Sequence, residues 1–159
     1  MADLLECLLQ IKGLRESADR MSALVAGADA ARWHERPGPQ APTAAELLTR
    51  LAELEVVHGT ALRLCLTAGA SIMPFVDEQA FLQMARFHQW SSGEALACFL
   101  ARRAENLDIL DRCTADDLAR QGTHPVRRHP TVADLVAVML ASDFEHLGDM
   151  RRALGGQGR

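Results

Sequence analysis

Between Val132 and Leu154 an apolar residue recurs every third or fourth position, through Val132, Leu135, Val136, Met139 and Leu140 and again through Leu147, Met150 and Leu154. That is the period of an α-helix with one buried face. Ser142, Asp143 and His146 interrupt the stripe where a further apolar turn is expected. A polar group buried without a partner costs about 1–3 kcal/mol. These three residues therefore either satisfy one another and neighbouring helices or belong to a site.

The same period recurs in three more long stretches, and no stretch of useful length alternates as a strand does. The first covers about Ala2–Val25, with Leu4, Leu8, Ile11, Leu14, Ala18, Met21 and Val25 on one face. Trp33 follows, and then three prolines (Pro37, Pro39, Pro42) that preclude a regular helix. Thr43 and Glu46 form a capping box that opens the second helix, whose stripe is Leu47, Leu51, Leu54, His58, Ala61 and Cys65 and which ends near Gly69. A looser region, Ala70–Ser92, holds a short helix at about Asp77–Phe87. Ser91 and Glu94 box the start of the third helix, which runs to about Arg112 through Leu96, Phe99, Leu100, Arg103, Leu107 and Leu110. Thr114 to Asp117 caps a short helical turn, and Gly122–Pro130 is a loop. Thr131, with Asp134, caps the fourth helix, and the tail Gly155–Arg159 frays.

Four amphipathic helices of similar length make an all-α four-helix bundle the economical fold. At 159 residues the chain is a single domain over residues 1–154, long enough to bury a core without staples. A net charge of -4 argues against nucleic-acid binding, and no apolar run approaches the roughly 20 residues of a membrane span. Cys7, Cys65, Cys98 and Cys113 form no CxxC pair and read as free thiols of a cytoplasmic protein without a signal peptide. Lys12 is the only lysine, and with abundant Ala and Leu this points to a GC-rich bacterial genome.

Each of the last three helices places polar residues on or beside its buried stripe. They are Arg50, Glu55 and His58 in the second helix, Arg103 in the third, and Ser142, Asp143 and His146 in the fourth. Facing helices of a bundle build sites in this way. Glu55 with His58, and Asp143 with His146, are i,i+3 pairs on one helical face. Two imidazoles and one or two carboxylates suit zinc, nickel or iron. The competing reading is a buried network in which Arg103 or Arg50 pairs with Asp143 or Glu55, and it is the favoured one, because a guanidinium repels a cation and satisfies carboxylates. His34, His124 and His129 lie in loops and read as solvated, as does His88 in the irregular connection. Met73, Met84, Met139 and Met150 read as core filler. There is no GxSxG, glycine-rich phosphate loop or HExxH.

The run from Pro42 through Thr43, Glu46, Arg50 and Leu51 to Glu55 resembles the second-helix motif of the DinB/YfiT-like superfamily, Trp-Ser-x-x-Glu-x-x-x-His-Leu-x-x-x-Glu. The run Ser142-Asp-Phe-Glu-His146-Leu-Gly-Asp149 resembles that family's fourth-helix run, His-Asp-x-x-His-x-x-Gln. Phe99 with Arg103 and the loop from Gly122 to Thr131 also fit. The resemblance implies an up-down-down-up four-helix bundle, often a homodimer. It also implies a zinc or nickel ion held by one histidine of the second helix and two of the fourth, and for some members thiol-transferase or isomerase activity. This chain departs from the pattern at the ligands. Arg50 and Ser142 stand at two histidine positions, and only His146 matches. Pro42 and Asp149 replace the tryptophan and glutamine.

Three functional readings follow. The leading one is a DinB-like bundle with a degenerate metal site, in which no metal is expected and Arg50 takes the cation's place and pairs with Asp143 or another carboxylate; its role is binding or stress-related. The alternative is a metal-dependent enzyme of thiol-transferase or hydrolase type, with zinc or nickel relocated to His58 and His146 with Glu55 or Asp143. In the third, Arg50, Arg103 and His146 bind a small anionic ligand.

Overall fold

The computed structural model describes residues 4–67 and 90–155. Four long helices carry the fold: α1 (Leu4–Ala26), α2 (Ala44–Thr67), α3 (Ser92–Asp111) and α5 (Val132–Ala153), with a single helical turn, α4 (Ala115–Leu118), before the last. A 3₁₀ turn, Ala30–Arg32, is capped by the Asp29 side chain on the Ala31 amide. The expected helix at Asp77–Phe87, together with Met73, Met84, His88 and the tail beyond Gly155, lies outside the described residues.

Helix starts follow local chemistry. Thr43 and Glu46 exchange hydrogen bonds across the first turn of α2, at 3.1 and 2.9 Å. Ser91 with Glu94, Thr114 with Asp117 and Thr131 with Asp134 form the same reciprocal box before α3, α4 and α5. Each box satisfies backbone amides that have no intrahelical partner. After α5, Gly155 adopts φ +77°, the left-handed conformation that commonly ends a helix and that glycine takes without strain.

Two apolar clusters give the helix directions. At one end Cys7 of α1, Leu62 and Cys65 of α2, Leu110 of α3 and Val132 of α5 meet. At the other end Met21, Leu48, Phe99 and Met150 meet. Thus α1 and α5 run one way, α2 and α3 the other: the order is up-down-down-up.

The buried face of α1 is Cys7, Ile11, Leu14, Ser17, Ala18 and Met21. This corrects the expected stripe at its start, where Leu4 and Leu8 are 46% and 51% exposed. Close approach of α2 and α3 depends on Gly59, since a Cβ there would stand 2.3 Å from Asn106 Oδ1. No helix among the described residues is long and apolar enough to cross a membrane. All four cysteines are free thiols, and burial raises the pKa of Cys7, Cys65 and Cys113.

Candidate functional site

A polar layer separates the two apolar clusters, and each long helix contributes to it: Ser17 from α1, Glu55 from α2, Arg103 and Asn106 from α3, Asp143 from α5, all buried. Arg103 organises it. Its Nε donates to Glu55 Oε2 (2.9 Å) and its Nη2 to Glu55 Oε1 (2.7 Å), a two-pronged fork. The same Nη2 donates to Asp143 Oδ1 (2.8 Å), while Nη1 donates to Asp143 Oδ2 (2.6 Å) and to the Leu14 carbonyl (3.1 Å). All five guanidinium N–H groups thus have acceptors, the condition for burying such a charge. Phe99 lies beneath, its ring centre 5.0 Å from the guanidinium carbon. Ser17 donates to Asp143, and Asn106 Nδ2 to Glu55 Oε2 at 3.0 Å. Burial alone would lower the Arg103 pKa, yet the hydrogen bonds and charges of Asp143 and Glu55 raise it above the ordinary guanidinium value.

Glu55 precedes His58 by three residues and Asp143 precedes His146 by three, so each histidine lies near one turn along from a clamped carboxylate. Both histidines line an open cavity of about 280 Å³ between α2 and α5. Arg50, Ser142 and Glu145 line it too, and Arg127 reaches it from the loop before α5. His146 is buried, and its Nδ1 lies 2.8 Å from the Ser142 carbonyl oxygen. A carbonyl only accepts, so Nδ1 carries the proton and, in the neutral ring, Nε2 keeps a lone pair. His58 is half-buried, and its Nδ1 is buried with no hydrogen-bond partner among the described residues. Burial pushes its pKa below the ordinary imidazole value; Glu55 opposes that, and Arg103 and Arg127 add to it.

Comparison with known proteins adds a family. A model of the DinB superfamily matches residues 14–150. The chain belongs to the DinB superfamily. The solved structure of YfiT from Bacillus subtilis, described as a probable metal-dependent hydrolase with an unusual four-helix bundle topology, matches this DinB chain with a TM-score of 0.86 at 15% identity. The match covers 99% of this chain and 92% of that one. At that identity the likeness is one of fold. No curated protein matches.

The structure sorts the expected site residues into two groups. Glu55, Arg103 and Asp143 form the polar layer; Arg50, His58, Ser142 and His146 line the cavity. Arg50, Ser142 and His146 are the positions that the resemblance matches to the metal-binding histidines of DinB proteins, and they come together. Two expectations need correction. The relocated metal set of His58, His146, Glu55 and Asp143 does not assemble, because Arg103 engages both carboxylates. Among the described residues no three or more His, Cys, Asp or Glu side chains are placed to hold a metal ion. Arg103 does not line the cavity, so it drops out of the expected anion-binding set. Of the pairings the sequence leaves open for the buried network, the structure shows Arg103 with both Asp143 and Glu55.

Ser17, Asn106 and Arg127 were not anticipated. Ser17 sits three residues after Leu14 on the α1 stripe, the same interruption that marks Ser142. Nothing periodic marks Arg127, which is in a loop. His34 and His129 are exposed as expected, whereas His124 is half-buried and accepts two backbone hydrogen bonds.

Proposed function

We propose that this DinB bundle keeps the cavity of its family, without the family's metal, as a binding site for a small anion. The observation that carries the reading is the lining. A guanidinium and a hydroxyl, from Arg50 and Ser142, stand beside His146 where the resemblance implies three imidazoles. A hydroxyl is a poor substitute for imidazole toward zinc or nickel, and a nearby guanidinium opposes a cation. Among the described residues that line the cavity, two guanidinium groups, those of Arg50 and Arg127, stand with one carboxylate, Glu145. The imidazole Nε2 of His146, with its tautomer set by the Ser142 carbonyl, supplies a directed acceptor for a ligand hydroxyl or amine.

The ligand is small. About 280 Å³ lies at the lower edge of the roughly 300–1,000 Å³ range of small-molecule pockets. Calorimetric titration of the full chain with inorganic phosphate, acetate and citrate tests the reading. Saturable binding of at least one, weakened as salt rises, is expected. Failure of all three to bind, or a transition metal held stoichiometrically between α2 and α5, would overturn it.

A further inference from the structure

One cavity residue comes from outside the bundle. Arg127 belongs to the 122–130 loop, and among the described residues it joins no ion pair. The loop that presents it is tied down. Gly122 donates to the Pro130 carbonyl at 3.1 Å, and Val132 to the Arg120 carbonyl at 3.0 Å. Inside that closure His124 donates its amide to the Arg128 carbonyl at 2.6 Å. The ring of His124 then turns back on its own backbone: Nδ1 accepts the amides of Val126 (3.1 Å) and Arg127 (3.0 Å). Asn and Asp side chains commonly make such a turn with an oxygen. Arg128 completes it at φ 62°, a left-handed conformation uncommon for a residue with a side chain.

Those bonds fix where the Arg127 backbone stands, and the Arg127 side chain extends to the cavity wall. Its charge is felt at His58, across the cavity lining on α2. A planar guanidinium that joins no ion pair among the described residues, held at the cavity, matches the two-oxygen edge of a carboxylate or a phosphate.

We infer that Arg127 is a ligand-binding residue of this cavity, contacting an oxyanion, and that His124 is the positioning residue that sets it there. This rests on the reading that the cavity takes an anion. The chemistry requires Nδ1 of His124 to act as an acceptor, so an amide oxygen in its place serves and a methyl group does not.

The test is calorimetric titration of inorganic phosphate and citrate into the full chain and into three variants, each with a thermal melt. Arg127→Ala is expected to melt with the wild type, because the side chain is exposed, and to bind at least about tenfold more weakly, the scale of one lost charge-assisted hydrogen bond. His124→Ala is expected to weaken binding similarly. His124→Asn, whose Oδ1 takes both amides, is expected to bind within about twofold of the wild type. If wild type binds and Arg127→Ala binds equally well, this inference fails while the anion cavity stands. If His124→Ala binds as wild type does, or His124→Asn is as weak as His124→Ala, the positioning role fails. Should His124→Ala lose its fold, Arg127→Ala and His124→Asn still decide the two parts. A wild type that binds neither probe removes this inference together with the reading beneath it.

Discussion

Glu55 on α2 and Asp143 on α5 grip the same guanidinium, and the residue three positions beyond each is a histidine lining the adjacent cavity. The i,i+3 pairs that look like metal ligands in the sequence are divided by the fold. Their acids face the centre of the bundle and hold Arg103; their bases face the groove. The clamp brings Glu55 level with Asp143 on antiparallel helices, and so sets His58 and His146 along one cavity.

Arg103 holds two buried carboxylates, so its removal leaves both without a counter-charge. Arg103→Met is expected to destabilise the fold by about 3–5 kcal/mol, read from urea unfolding midpoints. Replacing Arg103, Glu55 and Asp143 together with apolar residues of similar volume is expected to cost much less than the single change. Equal losses would mean that the layer stabilises through packing and not through paired charge.

His58 makes stability depend on pH with a definite sign. Its pKa is lowered in the fold, first by burial, so the unfolded chain binds the proton more tightly. Its contribution is fully present above the ordinary histidine pKa of about 6.5 and is lost as pH falls below that value toward the folded one. Unfolding free energy measured from pH 8 to pH 5 is expected to fall less steeply in His58→Gln than in the wild type. Superimposable profiles would contradict this.

Gly59 is a packing requirement. The Cβ of Gly59→Ala would collide with Asn106 Oδ1, itself tied through Nδ2 to the Glu55 carbonyl at 2.9 Å. The variant is expected to lose about 1–3 kcal/mol, the usual range for overpacking, with a lower melting temperature. Helix propensity alone would favour alanine by about 1 kcal/mol, so a stabilised variant would show that the two helices can separate without loss.

Features decided locally were legible in the sequence. The boxes at Thr43, Ser91, Thr114 and Thr131 depend only on residues three apart, and each forms where the spacing places it. The four helices and their family were legible for the same reason, since period and motif are properties of one segment. The phase of α1 was harder. Leu4, Leu5, Leu8 and Leu9 crowd its first turns, and only packing against α3 and α5 selects Cys7 and Ile11 as the buried line. That Arg103 or Arg50 would meet Glu55 or Asp143 could be read from residue types. Which arginine does so is set across helices, beyond the reach of spacing. Arg127 was illegible because its place in the cavity follows from a turn closed by an imidazole, for which the sequence has no periodic mark.

On the proposed reading, Arg50 and Ser142 stand in place of metal ligands in the cavity they share with His146. The metal content of the full chain purified without chelators, set beside that of the double variant Arg50→His with Ser142→His, tests it most directly. The account predicts no stoichiometric transition metal in the wild type and about one zinc or nickel per chain in the variant, where three imidazoles line the cavity. One tightly held metal per wild-type chain, lost on His146→Ala, would contradict it.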